Sequence, residues 1–223
     1  MSKISESFNA IKNTIPENVA LVVISKTKPE DAILEVYNNG HRIFGESKVQ
    51  ELTPKAEKLP DDIQWHLVGH LQRNKVKFVA PFISMIHSVD SLRLLKEINK
   101  EAKKSKRIID CLLQMHIAEE DTKFGLDRSE LIELLESPQF KEFQNVRICG
   151  LMGMATFTNN TNQVKREFKG LKLLFHEIKD NYFKENEAFK EISMGMSDDY
   201  PIGIDEGSTM VRIGSAIFGE RHY

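Results

Sequence analysis

Ala20-Leu-Val-Val-Ile-Ser-Lys26 is the stretch on which the fold turns. Its first five residues are apolar and three are β-branched, the mark of a strand covered on both faces. Seven more short apolar runs follow, over residues 42–47, 63–69, 85–90, 107–117, 146–154, 191–197 and 210–219. Amphipathic stretches fill the gaps. Pro29 suits a first helical position and Gly40 the residue just past a helix, which predicts a helix over 29–39. Ser91 suits an N-cap for a helix over 92–104, where Leu92, Leu95 and Ile98 recur at helical spacing. Asp127 or Ser129 opens a helix over 131–136 that stops before Pro138. The longest helix covers about 162–182, with Phe168, Leu171, Leu174, Phe175 and Ile178 on one stripe.

Each strand but the last is followed by a helix or a helical turn. Strict alternation implies a parallel sheet with right-handed crossovers, and eight such units predict a closed barrel. The expected fold class is α/β: a (β/α)8 TIM-type barrel that takes up residues 1–223 as one domain. It is compact for a type that commonly needs about 250 residues. Residues 220–223 leave no room for an eighth outer helix, so an extra N-terminal helix within residues 1–18 is expected to pack over that gap. A doubly wound open sheet is the alternative.

Composition narrows the function classes. The chain carries 31 Lys and Arg against 33 Asp and Glu, a formal net charge of -2. That balance lacks the basic excess of a nucleic-acid binder. No stretch approaches the roughly 18 apolar residues of a membrane span, and the N-terminus has no signal-peptide pattern. The cytoplasm is the expected compartment. Cys111 and Cys149 sit in apolar runs and read as buried small hydrophobes. His66 and His70 are four apart on a strand, which does not put two metal ligands on one face, so no metal site is expected. Neither a Walker A loop nor a dinucleotide fingerprint is present.

In such a barrel the chemistry lies at the C-terminal ends of the strands. Lys26 ends the first apolar run. An ammonium at the mouth of an apolar barrel is partly desolvated, which lowers its pKa and makes the amine a nucleophile for carbonyls. The plainer reading is a lysine marking the strand's exit into water. Lys28 competes, but Pro29 suggests that the strand has ended and that Lys28 is solvated. Met194-Gly-Met-Ser197 and Arg212-Ile-Gly-Ser215 stand where the loops after strands seven and eight begin, the usual phosphate position in these barrels. Glycine lets the backbone approach a phosphate, and Ser hydroxyls and N–H groups bond its oxygens. Arg212 lies inside an apolar strand, which is costly unless it is paired, either in a salt bridge or as a donor to a ligand. His66 reads as a core or rim histidine, and Asp198-Asp199 as helix-capping residues.

In this order the motifs closely resemble the pyridoxal phosphate homeostasis protein family. They are Val23-Ile-Ser-Lys-Thr-Lys-Pro29, Phe44-Gly-Glu46, Val49-Gln-Glu51, Gln64-Trp-His66, Gly69, Leu71-Gln72, Asn74-Lys75 and Gly150-Leu-Met152, followed by Gly195-Met-Ser-Asp-Asp199, Gly207-Ser-Thr-Met-Val-Arg-Ile-Gly214 and Ala216-Ile-Phe-Gly219. The resemblance runs from about residue 20 to the end and extends to the barrel domain of alanine racemase. It implies pyridoxal 5′-phosphate (PLP) held as an internal aldimine on Lys26. It puts the phosphate near Ser197, Gly214 and Ser215, Arg212 beside the pyridine nitrogen, and Ser47, His66 and Met152 among the cofactor-binding residues. Ser47 replaces the family's usual Asn, His70 a small residue, and Ser215 a Thr.

The resemblance implies a carrier in PLP homeostasis, which buffers the cofactor or delivers it to PLP-dependent apoenzymes, with no catalytic residue of its own. A monomer or weak homodimer is expected. The alternative is a PLP-dependent amino-acid racemase. A racemase needs a base on each face of the substrate Cα, and the opposing base in alanine racemases is a Tyr supplied with the help of a second domain. The barrel is expected to consume this whole chain. Of Tyr37, Tyr182, Tyr200 and Tyr223, only Tyr200 falls near a strand end. A phosphosugar enzyme without PLP is a third class.

Overall fold

The computed structural model describes residues 2–119 and 124–219. Among them, eight strands close into one barrel in sequence order: β1 (Ala20–Ile24), β2 (Ile43–Glu46), β3 (Gln64–Leu67), β4 (Met85–Val89), β5 (Ile109–Met115), β6 (Val146–Gly153), β7 (Glu191–Met196) and β8 (Met210–Ile213). All the pairings between them are parallel, including β1 with β8, so the sheet is closed and not an open doubly wound one. Helices lie between successive strands: α2 (Glu30–Asn38), α3 (Val49–Lys58), the short α4 (Val76–Val79) after a 3-10 turn, α5 (Leu92–Lys104), α6 (Arg128–Glu136), α7 (Pro138–Lys141), α8 (Thr161–Tyr182) and α9 (Tyr200–Asp205). The N-terminal α1 (Lys3–Lys12) packs on α2 and on α10 (Ser215–Phe218), which follows β8. It therefore fills the gap in the outer ring. No helix among the described residues is long and apolar enough to cross a membrane.

Period-two alternation divides each strand between two cores. Leu21 and Val23 point outward into the large strand–helix core, as do Val211 and Ile213. Val22, Met85, Leu112, Cys149, Met152 and Met210 fill the barrel interior. One bulge keeps this alternation in phase between β5 and β6, where Cys111 pairs with Ile148 but Leu112 with Gly150. Gly150 sits there at φ 154°, and a Cβ would lie 1.8 Å from the Glu191 carbonyl oxygen, so only glycine fits.

One boundary and one helix depart most from expectation, each for a physical reason. The strand expected over 210–219 stops at Ile213, because its partner β1 gives way to a turn after Ile24. With no ladder left, Ser215 begins α10. The helix α3 has no counterpart among the expected segments. It carries Pro54 and many charges, which mask its short buried stripe of Val49, Leu52 and Lys55. By contrast α5 matches its expected bounds, with Ser91 Oγ accepting from the Leu94 N–H at 3.3 Å. Asp127 closes a capping box with Glu130 at the start of α6.

Candidate functional site

A cavity of about 410 Å3 opens at the C-terminal ends of the strands. Lys26, Ser47, Ser197, Arg212, Gly214 and Ser215 all line it. Two further candidates do not. His66 and Met152 are buried in the barrel interior, one inward position below the cavity-lining Val68 and Met154. Phe124 and Phe157 stand exposed at the mouth.

Lys26 is half-buried in the turn that follows β1. The ladder extends one residue past the strand, through the Ser25 N–H to the Gly45 carbonyl at 3.0 Å. Inward parity then runs Val22, Ile24, Lys26. Lys28 is not a solvated side chain. Its Nζ donates to the carbonyls of Phe218 and Gly219 at 3.2 and 3.4 Å, at the C-terminal end of α10, where a cation is favoured.

The adjoining wall is built by the loops after β7 and β8, β8 being the ladder neighbour of β1. The Gly214 N–H donates to Ser197 Oγ at 3.2 Å, which ties the two loops together. A Cβ on Gly214 would lie 2.9 Å from the Ile24 carbonyl oxygen, so a side chain here would push β1 and β8 apart. Asp199 stands at the N-cap position of α9 but does not cap it. Its Oδ1 accepts instead from the Met196 N–H at 2.6 Å, bracing the loop before the helix.

Arg212 is 4% exposed, yet no carboxylate lies within ion-pair distance of it among the described residues. Its Nη1 donates to Ser193 Oγ at 2.6 Å and its Nη2 to the Gly153 carbonyl at 3.0 Å. Burial lowers its pKa to about 10, opposed by the charge of Asp199, and the guanidinium is still protonated at neutral pH. Behind it runs a buried chain: His87 Nδ1 lies 3.1 Å from Ser193 Oγ, and His87 Nε2 lies 3.0 Å from His66 Nδ1. An arginine only donates. Ser193 Oγ accepts from Arg212, and its hydroxyl hydrogen then has His87 Nδ1 as its remaining partner among these contacts. That makes His87 Nε2 a donor to His66 Nδ1 and leaves the His66 proton on Nε2. The opposite direction would strand a buried hydroxyl hydrogen, at about 1–3 kcal/mol. Both rings are neutral, because burial holds His66 down to about 3 and His87 well below its ordinary value.

Two measurements follow from this chain. Nitrogen-15 NMR of the histidine rings is expected to show His66 and His87 as neutral Nε2–H tautomers that do not titrate above pH 5. Between pH 6.5 and about 3 the unfolded chain takes up a proton on His66 that the folded barrel refuses, so acid destabilises the fold through this window. The urea midpoint is expected to fall as pH drops below 6.5. A titrating or Nδ1–H His87 would break the assignment.

Neither His87 nor Ser193 is among the candidate residues that the sequence motifs single out. Both sit at inward positions of apolar strands, and polar residues at such positions were the signal that could have found them. His70 is at the rim, stacked on Phe124 and 3.2 Å from Asp90 Oδ2. The tyrosines lie elsewhere. Tyr200 OH bonds Thr14 Oγ1 at 2.9 Å, Tyr37 OH donates to Asp62 and Tyr182 OH to Glu136, and none of the three lines the cavity. Tyr223 lies outside the described residues.

The barrel has counterparts among known proteins. The alanine racemase N-terminal domain family model matches residues 1–222. The pyridoxal phosphate homeostasis protein of Aquifex aeolicus is 41% identical over 209 residues, covering 93% of this chain and 90% of that protein. The chain belongs to the pyridoxal phosphate homeostasis protein family. A solved structure of PipY from Synechococcus elongatus PCC7942, with PLP bound, superposes with a TM-score of 0.87 at 34% identity, covering 97% of this chain and 100% of that one. Outside the homeostasis family the fold recurs in alanine racemase from Bartonella henselae. The TM-score there is 0.73 at 15% identity, and the match covers 99% of this chain and 61% of that one.

Proposed function

We propose that this chain is a cytoplasmic PLP carrier. It holds the cofactor as an aldimine on Lys26, buffers it or delivers it to PLP-dependent apoenzymes, and does not turn over amino acids. The observation that carries this reading is the gathering of Lys26, Ser47, Ser197, Arg212, Gly214 and Ser215 around one cavity. The names of the relatives and PLP bound in PipY support the choice of ligand.

The residues suit such a group. Lys26 would hold the aldehyde of such a group through its Nζ, with water as the product released. Ser197 and Ser215 offer hydroxyl donors beside Gly214, whose lack of a side chain would let a phosphate come close to the backbone. Arg212 uses two donor nitrogens internally and can offer further N–H to the ring nitrogen. A donor that keeps its proton would leave that nitrogen unprotonated, and such a ring would be a poorer electron sink. His66 acts through His87 and Ser193, and Met152 fills the interior beneath Met154.

Two further observations favour a carrier over a racemase. No described tyrosine faces the cavity as an opposing base. Nor does a second guanidinium among the described lining residues stand ready for a substrate carboxylate, while Asp198 at the mouth repels one.

Ser197→Ala with Ser215→Ala is expected to weaken PLP more than unphosphorylated pyridoxal, because each charge-assisted hydrogen bond lost costs roughly 1.5–3 kcal/mol, about tenfold or more in affinity. Ser193→Ala, which loosens Arg212 on the ring side, is expected to weaken both ligands alike. Spectrophotometric titration of the three proteins with each ligand checks this. Equal losses in the Ser197/Ser215 double variant would remove those hydroxyls from the phosphate.

A further inference from the structure

The turn that carries Lys26 is strained, and charged groups that the proposed function leaves unused hold it from both sides. Thr27 sits at φ 64°, in the left-handed region that β-branched residues avoid. Such a residue persists only where its surroundings over-determine it. Here the Thr27 N–H donates to Glu51 Oε2 at 2.8 Å. Before Lys26, Ser25 Oγ donates to Glu46 Oε1 at 2.7 Å. Lys55 Nζ donates both to the Ser25 carbonyl, at 2.9 Å, and to Glu46 Oε1, at 2.7 Å. The same ammonium lies 3.9 Å from Glu51 Oε2, so it links the two carboxylates.

Position says what this cluster does. Ser25 continues the outward parity of Leu21 and Val23, beneath α3, while Lys26 continues the inward parity of Val22 and Ile24. Glu46 is fully buried, and its Oε2 has no hydrogen-bond partner. A buried ion pair is weak evidence for stability, since apolar packing commonly does as well. An incompletely bonded one directly outside the lysine turn points to geometry.

We propose that Glu51 and the Glu46–Lys55 pair are positioning residues for Lys26, gripping Thr27 and Ser25 from outside the barrel so that the amine stays presented to the cavity. This rests on the reading of Lys26 as the PLP-bearing lysine. Glu51→Ala frees Thr27 to relax out of the left-handed region and swing Lys26 with it. Glu51→Gln keeps an acceptor for the Thr27 N–H. Thr27→Gly removes the steric objection to that backbone conformation.

The test is PLP affinity by absorbance, together with borohydride labelling of Lys26. Glu51→Ala is expected to bind about tenfold more weakly, from the loss of a hydrogen bond to a charged acceptor. Glu51→Gln is expected to stay within about threefold of the wild type, because a neutral acceptor loses only part of that bond. Adding Thr27→Gly to Glu51→Ala is expected to recover most of the loss. If Glu51→Ala does not fold, a folded, PLP-binding double variant supports the proposal and an unfolded one overturns it. It is also overturned by wild-type capture in Glu51→Ala, by Glu51→Gln as weak as Glu51→Ala, or by no recovery in the double variant. Wild-type protein that captures no PLP overturns the carrier reading itself, which separates the two failures.

Discussion

Lys26→Ala protein treated with PLP and borohydride is expected to carry no phosphopyridoxyl peptide, whereas Lys28→Ala protein is expected to carry it on Lys26. The two lysines are two residues apart, and the sequence alone left their roles to a resemblance. The geometry separates them. Lys26 lines the cavity, while Lys28 Nζ donates to the carbonyls at the end of α10. Capture by Lys28 would require breaking those bonds and leaving the end of α10 uncapped. Lys28→Ala should therefore loosen α10, and with it Ser215, so that affinity falls while the labelled residue stays the same. Peptide mass mapping after reduction decides between them. A phosphopyridoxyl group on Lys28, with Lys26 unmodified, would reverse the assignment.

Legibility in the sequence followed what is local. The eight strands could be read because each is an apolar run short enough to be a strand and too apolar to be an exposed one. The helix α5 could be read to its ends because its cap and its stripe are both local. The end of β8 could not, since it depends on where β1 stops supplying a partner. That six of the eight candidate residues would share one cavity was legible too, because strand-end residues face the mouth once the barrel is granted. Depth was not: His66 and Met152 share the inward parity of cavity residues but lie one step lower. The chain from Arg212 to His66 joins β8, β7, β4 and β3, and no spacing along the sequence announces a contact between them. Glu46 and Glu51 stood in recognised motifs, yet their work on Ser25 and Thr27 depends on a lysine from α3 and on one left-handed residue.

Holo-protein incubated with L-alanine or other L-amino acids is expected to produce no D-enantiomer at a rate above that of free PLP. Inversion needs a proton removed from one face of Cα and another delivered to the opposite face. Lys26 can serve one face. The described tyrosines cannot serve the other, because their hydroxyls are bonded to Thr14, Asp62 and Glu136 away from the cavity. His66 and His87 are no substitute. They lie below the floor and are held neutral by burial far below the pH of the assay, in a chain that points its donors away from Arg212. General acid–base help is typically worth about 10²–10⁴-fold at a proton-transfer step, so a single base leaves exchange without efficient inversion. Slow deuterium wash-in at Cα with retained configuration is therefore compatible with the carrier, and its dependence on Lys26 would identify the face served. Chiral chromatography of the products, beside the Lys26→Ala protein, makes the distinction. Lys26-dependent inversion at roughly 1 s⁻¹ or faster, the range of ordinary enzymes, would make this chain a racemase. The missing base would then have to come from beyond the described tyrosines.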